Sequence, residues 1–137
     1  MKLIFCLDDK NGMMFNKRRQ SQDRILRSRV ISLVGDANLV MSPYSAKQFI
    51  EEVNINVSDK PYSTAQTNDF YFVEDKPFSI DEADEIIIYR WNRHYPSDIR
   101  FDIDLNASGF ILSSIYEFEG SSHEKITEEK YKKGDHT

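Results

Sequence analysis

Apolar positions along this chain fall into short runs parted by polar stretches, and the period of each run predicts an element. Leu3-Ile4-Phe5-Cys6-Leu7 is an unbroken apolar run, which suits a strand covered on both faces. Residues 2–8 therefore read as a first, central strand. Asn11-Gly12 signals a turn, and a long polar loop is expected through Gln20. A helix should start near Ser21 to Asp23, because Ile25, Leu26, Val30, Leu33 and Val34 recur at helical spacing. Gly35 is its natural stop. Asn38 to Ser42 reads as a short strand. Ser45-Ala46-Lys47-Gln48 has the spacing of a capping box and predicts a short helix through about Glu52. Ile55 to Val57 fits an edge strand.

The second half is strand-rich. Residues 58–68 are polar and full of turn formers, and Phe70-Tyr71-Phe72-Val73 is a strong strand run. Ile80 to Glu85 suits one helical turn or a loop. Ile86-Ile87-Ile88-Tyr89-Arg90-Trp91 is the clearest strand, and residues 92–100 form a polar loop around Tyr95-Pro96. Ile99, Phe101, Ile103 and Leu105 alternate with Arg100, Asp102 and Asp104, which predicts a strand with one apolar and one charged face. Phe110 to Phe118 is another long strand. Residues 124–131 suit a helix by composition and a final hairpin by position, and the strand is preferred. Strand, helix, strand, helix, strand, then strands alone: this order implies an α/β sheet, parallel early and antiparallel at its end.

Composition narrows the class. The chain has 137 residues, 39% hydrophobic and 12% aromatic, enough for one domain with a core and against wholesale disorder. No apolar run approaches the roughly 20 residues that span a bilayer. The formal charge of −5 argues against a protein that coats nucleic acid generally. Cys6, the single cysteine, permits no internal disulfide and reads as a buried thiol packing as a small hydrophobe. The first apolar run is too short for a signal peptide, so a cytoplasmic location is expected.

The charge is unevenly spread. Residues 17–29 carry Lys17, Arg18, Arg19, Arg24, Arg27 and Arg29 against Asp23 alone, a net +5, which leaves −10 for the remainder. Such a segment can form an anion site for nucleotide phosphates or an RNA backbone. The preferred reading is a solvated helix face paired with acidic neighbours, with the arginine enrichment keeping the anion-site reading open. Asp98, Arg100, Asp102 and Asp104 would share a strand face, but Arg100 in that row opposes a cation. Ser121-Ser122-His123-Glu124 reads as a turn, because side chains adjacent in sequence do not converge as a catalytic triad. Tyr89 and Trp91 share a face and suit either core packing or base stacking.

Three stretches resemble dihydrofolate reductases. Residues Leu3 to Gly12, ending in Asp8-Asp9-Lys10-Asn11-Gly12, resemble that family's first strand and the Asn-Gly turn of its active-site loop. Asn38-Leu39-Val40-Met41-Ser42-Pro43-Tyr44-Ser45 stands where the family has a strand ending in Met-Gly-Arg-x-Thr. Ala83 to Arg90, Asp98 to Leu105 and Phe110 to Ser114 follow the order and spacing of the family's C-terminal sheet. The resemblance runs thinly over nearly the whole chain and more fully over the last third. It implies a single three-layer α/β domain over residues 1–131: a mostly parallel central sheet, an antiparallel C-terminal end and helices on both faces. Residues 132–137 are expected to form a polar tail. A fold does not by itself name a function.

The departures bear on chemistry. The family binds its cofactor pyrophosphate on a Gly-Gly-Gly segment after the fifth strand; here the strand at Phe70 runs into Glu74-Asp75-Lys76-Pro77. Two carboxylates repel a pyrophosphate, and Pro77 has no N–H to offer it. The Pro-Trp pair of the active-site loop is replaced by Met14-Phe15-Asn16-Lys17-Arg18-Arg19, and the Gly-Arg pair by Ser42-Pro43. The family's pterin-binding carboxylate at the start of its first helix has a counterpart in Asp23. Asp is also among the best helix-start residues. No nicotinamide and no other cofactor is expected. The chain also resembles short bacterial proteins that often carry the label ribonuclease Z. The enzyme of that name has a His-x-His-x-Asp-His zinc motif, whereas His94, His123 and His136 stand isolated here, so no metal is expected.

Three functional readings follow. In the first, a non-reductase member of this fold binds a phosphorylated small molecule or nucleotide. Its crevice lies between the first strand, the Arg-rich loop and the first helix, with Lys17, Arg18, Arg19, Arg24 and Arg27 as the anion-binding set. In the second, a protein-interaction or regulatory module meets an acidic partner through the basic loop. In the third, ranked last, residues 17–29 bind or cleave RNA. Asp23 is the single catalytic candidate, whether any reaction is catalysed stays open, and no membrane partner is expected.

Overall fold

The computed structural model describes residues 1–51 and 54–134. In chain order the elements are β1 (Lys2–Leu7), β2 (Gly12–Phe15), β3 (Arg18–Arg19), α1 (Arg24–Val34), β4 (Leu39–Met41), α2 (Pro43–Ala46), β5 (Ile55–Val57), α3 (Pro61–Thr64), β6 (Phe70–Phe72), β7 (Glu85–Arg90), β8 (Ile99–Arg100), β9 (Phe110–Phe118) and β10 (Ile126–Lys133).

β1 is central because it is apolar on both faces. Leu3, Phe5 and Leu7 enter one core and Ile4 the other, and all four are fully buried. Each such side chain contributes about 1.5–3 kcal/mol relative to exposure. β6 and β7 flank β1 in parallel, with Leu3 opposite both Tyr71 and Ile86. The sheet order is β5-β4-β6-β1-β7-β10-β9, with β10 antiparallel to both of its neighbours. A mostly parallel sheet with an antiparallel end is thus the architecture, as expected.

α1 covers one face. Leu26, Val30 and Val34, spaced four apart, pack into the core that holds Ile4, Phe70 and Phe72. Gly35 ends the helix at φ 56°, a conformation that costs glycine little and other residues more. On the opposite face Tyr62 of α3 packs on the core beside a three-stranded sheet, β3-β2-β8.

Several expectations need correction. Residues 11–20 are not a plain loop. β2 and β3 form a hairpin whose turn residues Asn16 and Lys17 have φ of 53° and 62°, the signs a tight two-residue turn requires. The cap of α2 is Ser42, whose Oγ accepts from the Ser45 N–H at 3.1 Å, with Pro43 in the first turn. α2 ends at Ala46; the expected end at Glu52 lies outside the described residues. Residues 58–68 contain the single turn of α3. Of the alternating stretch from Ile99 to Leu105 only Ile99–Arg100 is strand. Phe101 and Leu105 are buried by a loop, and Asp104 accepts from the Ala107 N–H to turn it. β10 reaches Lys133, two residues into the stretch expected as tail. Cys6 as a residue is partly covered, and its thiol is enclosed beside the crevice at the strand ends, as expected.

Candidate functional site

Parallel α/β sheets offer ligands the crevice at the carboxyl ends of their strands. Here, between β1 and β6, the chain fills that crevice itself. Cys6, Met13, Arg19, Gln20, Ser21, Val73, Glu74 and Trp91 enclose about 10 Å³, room for one water at most. The plug is an ion pair. Arg19 Nε lies 2.9 Å and 3.3 Å from the two Glu74 oxygens, and its Nη2 3.2 Å from Oε1. Ser45 Oγ and Gln48 Nε2 also donate to Glu74, at 2.8 and 3.1 Å. The Arg19 guanidinium lies over the Tyr44 ring at 4.3 Å and donates to the Tyr44 carbonyl. Asp75 accepts from Ser42 Oγ at 2.6 Å. Both carboxylates after β6 are thus folded against α2. Burial pushes the Glu74 carboxyl up, and Arg19, Ser45 and Gln48 offset this only in part. Burial and the nearby Glu74 likewise raise the Cys6 thiol well above its ordinary value, which leaves it inert.

Beside the plug stands Asp23. It caps α1, its Oδ1 accepting from the Ile25 and Leu26 N–H groups at 2.9 and 3.2 Å. The turn after β9 then closes on the same carboxylate. Ser121 N–H donates to Oδ1 at 3.0 Å, Ser122 N–H to Oδ2 at 2.9 Å, and His123 Nδ1 lies 3.0 Å from Oδ2. Gly120 permits this approach, since a Cβ there would sit 2.5 Å from Asp23 Oδ2. Burial favours the neutral acid. The Ser122 N–H, the His123 ring and the Ser121 and Leu26 N–H groups outweigh it and hold Asp23 well below the usual carboxylate range.

An ionised Asp23 can only accept, so His123 Nδ1 carries a proton and, in the neutral ring, Nε2 accepts. Two hydroxyls compete for that Nε2: Ser21 Oγ at 3.0 Å and Tyr95 OH at 3.1 Å. The ring stacks on Trp91, centroids 4.5 Å apart. Ser21, His123 and Asp23 therefore form a hydroxyl–imidazole–carboxylate chain with the spacing of a nucleophilic triad. Ser21 faces the 10 Å³ gap, however, where no acyl group fits. In this conformation the chain is a clamp between the start of α1 and the turn after β9. That turn was expected from sequence; its docking on Asp23, about a hundred residues away, was not, because only the fold brings the two together.

The basic segment does not stay together. Lys17 and Arg18 sit exposed on the β2–β3 hairpin, Arg18 beside a shallow hollow of about 290 Å³ with Tyr95 and Pro96. Arg29 points to the far side of α1, where it pairs with Glu128 at 2.8 and 3.0 Å and lies over Tyr116. Arg19, Arg24 and Arg27 converge on an open cleft of about 500 Å³ at the start of α1, together with Lys47, Gln48, Gln22, Asp23, Ser121 and Ser122. Arg27 is tied to Glu51 at 2.8 Å. Among the described residues, Arg24 and Lys47 make no ion pair and no side-chain hydrogen bond. Lys47 and Ser121–Ser122 carry no sequence signal that would have placed them there.

Among the described residues no group of three His, Cys, Asp or Glu could hold a metal ion, which gives the ribonuclease Z label no support. Asp98 accepts from the Asn16 N–H. Tyr89 and Trp91 are buried in the core, Tyr89 OH donating to Glu128 at 2.8 Å, so neither offers a stacking platform. Among the described residues no helix is long and apolar enough to cross a membrane.

No protein-family model and no curated protein sequence matches this chain. Among solved structures it is similar to the dihydrofolate reductase of Enterococcus faecalis complexed with NADP(H) and RAB-propyl. The TM-score is 0.66 at 8% identity, over 98% of this chain and 96% of that one. At that identity the likeness is one of fold, and it extends end to end: the chain has the dihydrofolate reductase-like fold.

Proposed function

We propose that this chain is a dihydrofolate reductase-like protein without nicotinamide-dependent reductase activity that binds a phosphorylated small molecule or nucleotide in the cleft beside α1. The observation that carries the reading is the pair Arg24 and Lys47. They flank the 500 Å³ cleft without an anionic partner among the described residues. The first α1 amides do not add to this attraction. Ile25 and Leu26 N–H are taken by Asp23, and Arg24 N–H by Ser121 Oγ. Affinity therefore rests on the guanidinium and ammonium groups.

The residues after β6 do not fit a nicotinamide cofactor. Glu74 and Asp75 already turn their carboxylates on Ser45 and Ser42 of the α2 turn, where a phosphate would meet two negative charges. The dispersal of residues 17–29 in three directions favours a small anion over RNA, since a nucleic-acid backbone needs a continuous basic track.

The test is a thermal-shift and calorimetric panel of inorganic phosphate, ADP, ATP, folates, NADPH and single-stranded RNA. A phosphorylated compound should raise the Tm. A ligand at a hundred times its Kd adds about 2.7 kcal/mol of stability. Arg24→Gln with Lys47→Gln should abolish the shift. No shift with any phosphorylated compound, or a shift indifferent to both substitutions, overturns the reading. A strong shift with NADPH overturns the loss of the cofactor site.

A further inference from the structure

The longest strand of the sheet is also its open edge. β9 spans nine residues and pairs only with β10; at its start the Phe110 N–H donates to the Leu105 carbonyl at 2.9 Å, and its other outer backbone groups have no backbone partner among the described residues. Proteins blunt such edges with lysines, prolines or brevity. The opposite edge, β5, has three residues. β9 has no proline and no lysine, and Glu117 is its single charge. It exposes Ile111 (63%), Leu112 (41%), Ile115 (57%) and Tyr116 (49%).

The register shows where these four side chains stand. Ser114 lies opposite Lys130 and Leu112 opposite Tyr131, so Ser113 is the extra residue of a bulge. The bulge resets the alternation. Leu112, Ile115 and Glu117 lie on the face of Tyr131 and Glu129, which is the face of Ile86 and Ile88. Ile111, Ser114 and Tyr116 lie on the face of Lys130 and Glu128, the α1 face. Each face of the edge thus offers two exposed apolar side chains.

We propose that two copies of this chain pair along β9, antiparallel about a two-fold axis normal to the sheet, joining two seven-stranded sheets into one. A two-fold axis of this kind requires residues of one face to meet residues of the same face. The register that satisfies this for all four apolar side chains sets Leu112 opposite the partner's Ile115 and Ile111 opposite the partner's Tyr116, each pair occurring twice. Such cross-strand apolar pairs are the stabilising unit of a sheet.

Charge selects the same arrangement. In this register Glu117, which lies 3.7 Å from the exposed Lys125 of its own chain, stands opposite the partner's Phe110, next to the partner's Lys133 on the adjacent strand and the same face. Two strand spacings are about 9.6 Å, within the joint reach of a glutamate and a lysine. The acidic end of β9 in each copy meets the basic end of β10 in the other, whereas a parallel pairing would set like charges side by side. The bulge fits this scheme, because a bulge in each strand keeps the faces in step across the two-fold.

Sedimentation equilibrium of the full chain over a range of concentrations tests the proposal. Twice the chain mass of 16.1 kDa is expected for the parent protein. Leu112→Lys should weaken the dimer on the order of a hundredfold with an unchanged circular dichroism spectrum. Glu117→Lys should weaken it about threefold, and Lys133→Glu added to Glu117→Lys should restore it. Hydrogen exchange should show protected outward amides on β9 at dimer concentrations. A parent monomer at every concentration overturns the proposal, as does a dimer indifferent to Leu112→Lys. A monomer whose β9 amides become protected only on adding an extended peptide also overturns it, and identifies a foreign strand as the occupant.

Discussion

Two hollows lie side by side at the start of α1, and they share Arg19. In the inner one, between β1 and β6, Glu74 supplies the countercharge to Arg19, and Ser45 and Gln48 donate to the same carboxylate. About 10 Å³ remains. In the outer one Arg24 and Lys47 face some 500 Å³ of solvent with no described acid to meet them. The difference teaches how a ligand site is told from a structural polar cluster. Where the chain provides the partner of each charge, the energy of pairing goes into stability. Where it leaves cations unanswered, the energy is available to an outside anion.

The sharpest way to break this contrast is to unplug the inner hollow. Glu74→Ala leaves the Arg19 guanidinium, 17% exposed at its side chain, without its carboxylate. The expected loss is about 3 kcal/mol or more, read as the midpoint of urea unfolding. Glu74→Gln should cost less, since the amide still accepts hydrogen bonds.

Next in size is the clamp. His123→Ala removes the ring between Trp91 and Asp23 and should cost about 2–3 kcal/mol. Gly120→Ala, which drives a Cβ toward Asp23, should cost roughly 1–3 kcal/mol. Ser21→Ala should be nearly silent in stability, because Tyr95 still donates to His123. A chain read as a clamp predicts no ester hydrolysis by the parent protein, and measurable turnover lost on Ser21→Ala would refute that reading.

A smaller effect separates the two hollows by pH. Asp23 lies below its ordinary value of 3.8 despite burial, through the Ser122, His123, Ser121 and Leu26 contacts. Asp8 lies below it too, held against burial by the Gly12, Tyr95 and Lys10 N–H groups and Gln20. Their stabilisation is fully present above that value and is lost as pH falls below it. Glu74, raised by burial, acts in the opposite sense: its share is present at low pH and lost as pH rises through its folded value. Unfolding midpoints at pH 7 and pH 3 should therefore converge in Asp23→Asn and diverge in Glu74→Gln.

The smallest expected effect is on the outer hollow without ligand. Arg24→Gln and Lys47→Gln should each change stability by no more than about 0.5 kcal/mol, in line with charges that hold nothing of the chain's own. A large loss in either variant would make the outer hollow structural like the inner one.

What could be read beforehand follows the density of the pattern. β1 and β7 announce themselves by apolar residues on both faces, α1 by five spaced aliphatics and a glycine stop. The β2–β3 hairpin was hidden because its turn is Asn16-Lys17, with no glycine to mark positive φ. The Ile99–Leu105 alternation misled because Phe101 and Leu105 are buried by a loop instead of a sheet. The basic segment read as one patch because sequence counts charge without direction. A hairpin carries Lys17 and Arg18 outward, and helical rotation sends Arg29 away from Arg24 and Arg27. The clamp was out of reach for another reason: Asp23 and His123 each look ordinary, and only the closure of the turn after β9 joins them.

The stacking of Trp91 on His123 has a practical outcome. Trp91 is the protein's single tryptophan, so its fluorescence reports on one place alone. Its emission follows the ring that bridges α1 to the turn after β9, without interference from any second indole. Opening of that junction, ahead of or together with global unfolding, can be watched by eye of a fluorimeter in the unlabelled protein.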